Sequence, residues 1–246
     1  GVVHANSWVC TDGQILYGDC SHIEYGNYYD NMGGGRFSLN YNAYFKEKLG
    51  WLSPQEILTV NTTGIYTINP LELRNGIKLI KINTLNNQDT PYFIELRKGI
   101  GFDSKLNNSE LIKNQYGIFI NQIKDTNGPA TELLDMSPDS NSYEGIKNVT
   151  LNLPSANTSV PYFDDTGRGI TIGPVLNVST SSITFKVDVH SPVCNRFAPS
   201  LINSTYSSVV AAGGMITAAF DIKNNDYYGC GSSSIFGISG TSTNSW

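Results

Sequence analysis

The stretch V-N-T-T-G-I-Y-T-I-N-P-L, residues 60–71, decides the fold class. From Val60 the pattern has a period of two, as in a strand whose side chains alternate between faces. It predicts a strand, a turn at Gly64 and a second strand. Downstream, strands are predicted at 77–83, 91–97, 116–123, 148–153, 169–178 and 182–189, punctuated by Asn, Asp, Gly and Ser. Many short strands separated by turn signals indicate a mainly β protein built as a sandwich. Upstream, Tyr41, Tyr44, Phe45, Leu49 and Leu52 recur at helical spacing, which predicts one helix within 40–58. Gly50 is its expected stop, with Pro54 just beyond. Residues 1–35 are Gly-rich and read as an irregular loop, too long to persist without a staple or a function. S-P-V-C at 191–194 reads as a linker, followed by strand-like runs at 207–212, 215–223 and 234–238. Three units are expected: 1–58, 59–190 and 191–246.

The 246 residues suffice for one large or two ordinary domains. Only 15% are charged, below the usual quarter, which suits strands and turns better than long surface helices. The net charge is −5, and no Lys/Arg cluster exists, so nucleic-acid binding has no electrostatic footprint. No apolar run reaches the length of a bilayer span. No signal peptide is present, and G-V-V-H is not a plausible translation start, so an upstream segment is expected.

Cys10, Cys20, Cys194 and Cys230 allow three pairings. Cys10–Cys20 and Cys194–Cys230 are favoured, because each closes a loop inside one expected unit. Four buried free thiols are the alternative. Six N-x-S/T sequons, at Asn61, Asn107, Asn148, Asn157, Asn177 and Asn203, add a weak pointer to a secreted glycoprotein.

G-V-V-H-A-N-S-W at 1–8 and E-Y-G-N-Y-Y-D-N-M-G-G-G at 24–35 together resemble the gametolysin-like branch of the metzincin metallopeptidases. That family's motif is H-E-x-x-H-x-x-G-x-x-H. Gly1 and His4 match its final G-x-x-H, and the H-E-x-x-H would stand just before Gly1. Two histidines at i and i+4 share one helix face, a Gly turns the chain back, and a third His completes a zinc site with one position left for water. The metal lowers the pKa of that water and the Glu takes its proton. The resemblance therefore implies that His4 is the third zinc ligand. It implies that Met32, 28 residues after His4, lies in a tight turn forming an apolar floor beneath the ligands. Where some relatives carry a Tyr two residues after the Met, this chain has Gly34, so no such ligand is assigned.

K-E-K-L-G-W-L at 46–52, G-I-Y-T-I-N-P-L at 64–71, Y-F-I-E-L-R at 92–97, G-I-G-F-D at 99–103, G-I-F-I-N at 117–121 and T-E-L-L-D-M-S-P at 131–138 resemble segments that follow the catalytic domain in gametolysin- and immune-inhibitor-type secreted metallopeptidases. C-N-R-F-A-P-S at 194–200 and N-N-D-Y-Y-G-C-G at 224–231 resemble the opening of an immunoglobulin-like module, with Trp246 in its core. The implied layout is the remnant of a catalytic domain (a loop plus one helix), then β-sandwich modules.

Other residues carry plainer expectations. Tyr28 and Tyr29 are expected to pack on the core, with cleft lining as the alternative. His22 is expected in a surface loop, with a ligand or substrate contact as the alternative, and His190 is structural. Glu95 and Arg97 alternate with apolar neighbours and form a polar pair. Asp12, Asp19 and Glu24 could serve calcium, but no calcium-loop spacing appears. Asp164 and Asp165 read as a turn.

The sequence therefore points to part of a secreted zinc endopeptidase acting on protein or glycoprotein substrates. Without the H-E-x-x-H, the chain as it stands is expected to be inactive. The alternative is a non-catalytic, β-rich adhesive or carbohydrate-binding protein with a degenerate peptidase remnant. Oligomeric state is not readable.

Overall fold

The computed structural model describes residues 1–17, 19–34, 38–83, 90–107, 117–125, 129–136, 149–151, 162–165 and 167–190, and three further strands beyond them. The protein is mainly β, as its sequence indicates. A seven-stranded sheet contains β1 (Ala5–Cys10), β2 (Cys20–Ile23), β3 (Ile57–Val60), β5 (Leu79–Ile82), β6 (Tyr92–Arg97), β7 (Gly117–Asp125) and β8 (Pro129–Leu134), in the order β2-β1-β8-β7-β6-β5-β3. A four-stranded sheet contains β4 (Gly64–Ile68), β9 (Phe163–Asp165), β10 (Ile170–Val178) and β11 (Ile183–Val189), in the order β4-β11-β10-β9. The strands β12 (Val209–Gly213), β13 (Ile216–Asp221) and β14 (Asp226–Cys230) form a third, antiparallel sheet.

Residues 60–71 do not form a hairpin. Gly64 opens β4 instead of making the turn, and the chain crosses from one sheet to the other. β3 pairs in parallel with β5, whereas β4 pairs with β11. The two sheets share one core. Ile80, Ile94, Ile118, Ile120 and Leu134 from the larger sheet meet Ile68, Phe163, Ile172, Phe185 and Val187 from the smaller. Fully burying such a side chain contributes about 1.5–3 kcal/mol.

The larger sheet is covered on its other face too, which explains why every residue of β6 is buried. Tyr92, Ile94 and Leu96 join the shared core, while the intervening Phe93 packs with Ala43, Tyr44 and Phe45 of α1 (Ala43–Lys48). By the same alternation Glu95 and Arg97 face the helix side.

The expected helix is shorter than 40–58. Asn42 caps it by accepting the Phe45 N–H at 2.9 Å. Gly50, at φ 72°, ends it. Pro54 holds Ser53 extended, and a 3₁₀ turn at Pro54–Glu56 leads straight into β3.

Residues 1–35 are not simply a loop: β1 and β2 form an antiparallel pair stapled by the Cys10–Cys20 disulfide. β1 also pairs in parallel with β8, Ala5 opposite Thr131. The boundary expected between 58 and 59 therefore falls inside one sheet, because strands from both sides of it are hydrogen-bonded neighbours. Among the later expectations, 207–212 and 215–223 correspond to β12 and β13, and β14 was not foreseen. The run 234–238, Trp246 and a Cys194–Cys230 pairing lie outside the described residues.

Candidate functional site

The two segments that carry the metallopeptidase resemblance meet along β1. The Ala5 N–H donates to the Met32 carbonyl at 3.0 Å, and the Asn27 N–H donates to the Ala5 carbonyl at 3.3 Å. The turn containing Met32 thus continues the sheet edge beside the residue that follows His4. Its shape is set locally. Asp30, buried, accepts the Met32 N–H on Oδ1 at 2.7 Å, and Gly33 donates back to the Asp30 carbonyl at 3.0 Å. A Cβ on Gly33 would stand 1.8 Å from the Asn27 carbonyl oxygen, so only glycine fits. Met32 is half-buried against the cluster of Ala5, Leu79 and Phe93.

His4 precedes β1 and is partly exposed. Its Nδ1 lies 2.8 Å from Glu24 Oε1, and its Nε2 lies 2.7 Å from the Tyr25 hydroxyl. With Nδ1–H donating to the carboxylate, Nε2 carries the lone pair and accepts from the phenol. Tyr25 holds φ at 58°, an uncommon value for a non-glycine residue. It is fixed there by its N–H on Asn6 Oδ1 at 2.9 Å and by its carbonyl accepting the Gly34 N–H.

A carboxylate on one imidazole nitrogen and a lone pair on the other is the arrangement expected of a metal-binding histidine. His4 therefore fits one corner of a zinc site. It does not complete one: among the described residues no group of three His, Cys, Asp or Glu is placed to hold a metal. Gly1 is exposed, with open space around it. Asp12 accepts the Gln14 and Asp19 N–H groups, which hold its carboxyl below the usual range. Asp19 accepts from Thr11, and Glu24 belongs to His4. Asp164 and Asp165 lie on β9, not in a turn. Asp165 is buried and accepts from Tyr17 at 2.9 Å and from Tyr92 at 2.5 Å.

His22 sits on β2, not in a loop. Its Nδ1 is 2.5 Å from Oε1 of Glu132, a fully buried carboxylate on β8 that also accepts from Gln122 Nε2 at 3.2 Å. Tyr28 and Tyr29 pack on the core, Tyr29 edge-on to Phe119 at 5.1 Å between centroids. The His190 N–H donates to the Gly169 carbonyl at 2.9 Å.

Behind the Met32 turn lies a charged cluster that sequence reading found only in part. The Glu95–Arg97 pair is present, with Nε to Oε1 at 3.0 Å. Asp103 adds a second carboxylate, its Oδ2 2.5 Å from Arg97 Nη1. Burial works against the Arg97 charge, but Asp103, Glu95 and Glu72 together push its pKa up. Burial opposes ionisation of Asp103 as well, yet Arg97 and the Asn40 N–H carry its carboxyl below the ordinary value. Among the described residues no cation forms an ion pair with Asp30. Burial pushes its carboxyl up to about 6, against the pull of the Met32 and Asn42 N–H groups and the Arg97 charge. For Asp30 the available sequence signal is its placement two residues before Met32, an Asx-turn spacing.

No family model, curated protein or solved structure matches the chain. Among the described residues no helix is long and apolar enough to cross a membrane.

Proposed function

We propose that this chain is part of a secreted zinc-dependent endopeptidase, with His4 as one of the metal's ligands and Met32 in the turn beside it. The observation that carries the reading is the hydrogen bond from Ala5 to Met32. It joins G-V-V-H-A to Y-D-N-M-G, two motifs that resemble one family. The Glu24 carboxylate on His4 Nδ1 supports it, since that contact keeps Nε2 as the electron-pair donor.

Zinc, when bound, supplies a Lewis acid and a water of lowered pKa. In this chain His4 would hold it through Nε2, which requires the Tyr25 hydroxyl to move aside. Glu24 orients the imidazole, and the Met32 turn fixes the backbone next to it. On this reading the remaining ligands and the general base would come from an H-E-x-x-H segment, and hydrolysis would depend on it. The substrate class is protein or glycoprotein.

Elemental analysis and proteolysis assays on the longer protein that the reading requires test it. Bound zinc, chelator-sensitive cleavage and loss of both in His4→Ala are expected. Unchanged turnover in His4→Ala would remove His4 from the site. The non-catalytic adhesive reading predicts no zinc and no cleavage at all.

Secretion from a glycosylating host would open the sequons to glycan attachment. Of the six sequons, Asn61 and Asn177 stand exposed on the described surface. Material from a glycosylating host should lose one glycan mass in each of Asn61→Gln and Asn177→Gln. The side chain of Asn107, and Asn148, Asn157 and Asn203 altogether, lie outside the described residues.

A further inference from the structure

We propose that the loop tip carrying Ile100 and Phe102 is a membrane-docking surface that seats on an anionic lipid bilayer. It rests on none of the residues of the peptidase reading. Phe102 is 77% exposed, the most exposed large apolar side chain among the described residues. Ile100 and Leu73 are exposed as well. Single exposed apolar residues are common and need no explanation. Here the three share one end of the sandwich. Glu72, next to Leu73, accepts the Lys98 N–H at 2.8 Å and the Gly99 N–H at 3.1 Å on Oε1. These bonds lay the loop after β4 against the loop after β6.

The tip is pinned from below. Asp103 is buried and pairs with Arg97 at 2.5 Å, and its N–H donates to the Ile100 carbonyl at 3.1 Å. Leu106, also fully buried, packs with Tyr29 and Phe119. Asp103 and Leu106 thus anchor the 3₁₀ turn at Gly101–Asn107. Gly99 and Gly101 bracket Ile100, and both hold φ at 62°, the left-handed region that favours glycine. An anchored turn that presents an aromatic ring to water forgoes hydrophobic stabilisation, and insertion into a bilayer interface recovers it.

Charge selects the occupant. The chain as a whole carries a net −5. At this end Arg74 and Lys105 are exposed, and Lys98 is half-buried with its ammonium on the Ser179 carbonyl. Among the described residues of these two loops, the carboxylates turn inward: Glu72 accepts backbone N–H groups and Asp103 holds Arg97. The β10–β11 turn that Lys98 reaches, S-T-S-S at 179–182, is uncharged. An apolar tip ringed by cations matches anionic headgroups, because the ring enters the interface while the long basic side chains reach the phosphates. A second copy of the chain fits worse, since a two-fold contact would set these cations against their own copies.

The test is co-sedimentation of this chain, made without glycans, with vesicles of phosphatidylcholine containing about one-third phosphatidylserine. Binding is expected, with little to pure phosphatidylcholine and with a fall as salt rises to about 0.5 M. Phe102→Ser and Ile100→Ser should each lower the partition coefficient about tenfold. Arg74→Glu combined with Lys105→Glu should lower it by about as much on the anionic vesicles. Ile65→Ser is the control, an isoleucine 66% exposed on β4 beside Lys186, and should leave binding unchanged. These side chains are all exposed, so an unchanged thermal midpoint is expected in each variant. No binding by the wild-type chain, equal binding to pure phosphatidylcholine, or unchanged binding in Phe102→Ser overturns the proposal. An equal loss in Ile65→Ser does the same. Dimers in sedimentation velocity that vanish in Phe102→Ser, without vesicle binding, would give the surface to a second copy and overturn it too.

Discussion

The imidazole of His22 and the carboxylate of Glu132 meet at 2.5 Å although their strands, β2 and β8, are not neighbours; β1 runs between them. His22 is paired across the sheet with Trp8, and Glu132 with Asn6, so the contact is diagonal over β1. It ties the outermost strand to the interior of the sheet. Replacing His22 by Ala leaves a fully buried carboxylate that, among the described residues, keeps Gln122 as its side-chain partner. The expected cost is about 1–3 kcal/mol, read as a lower midpoint in urea unfolding. A midpoint equal to that of the wild type would show that the pair holds nothing.

Asp30 makes stability depend on pH in an unusual direction. Its carboxyl rises from 3.8 unfolded to about 6 folded, so between those values the native state binds the proton more tightly. Stability from this group is present at low pH and is lost as pH rises through about 6. The contribution is on the order of 2–3 kcal/mol. Asp30→Asn removes it. The difference in unfolding free energy between wild type and Asp30→Asn should therefore vary between pH 4 and 7, with wild type gaining toward acid. A difference independent of pH would mean that Asp30 does not titrate in this range.

Gly33 tests the shape of the turn without touching a charge. Its missing Cβ makes room for the Asn27 carbonyl, which is backbone and cannot swing away. Gly33→Ala is expected to cost about 1–3 kcal/mol as an overpacking change, read as a fall in the thermal midpoint. Gly13, which faces open space, provides the comparison, although its own φ of 78° makes an alanine there strained as well. A Gly33→Ala protein as stable as wild type would contradict the close approach.

Much of the strand content was legible, for a physical reason. β11 carries the regular alternation that burial of one face demands, β10 keeps it over Ile170–Ile172 before its register shifts, and both lie within a residue or so of where the pattern puts them. The Cys10–Cys20 bridge followed from two cysteines that close a short loop. β1 and β2 were missed because A-N-S-W-V-C and C-S-H-I are short and carry no sustained alternation. Their strand character comes from partners, not from pattern. The parallel pairing of β1 with β8 joins residues that no local signal links. In the candidate site, Glu95 and Arg97 betrayed themselves as polar residues in an apolar alternation. Asp103 and the diagonal reach of His22 left no such trace, since only the folded chain brings their partners near.

The parallel pairing of Ala5 with Thr131 has a consequence for synthesis. Among the described strands, β1 finds β2 close at hand but must wait for β8, which follows more than a hundred residues later. Until then β1 and β2 remain a stapled hairpin with an open edge, exposed to whatever strand comes first. Loop closure over that distance slows the step that covers β1 and leaves the β1–β2 hairpin in need of protection during folding.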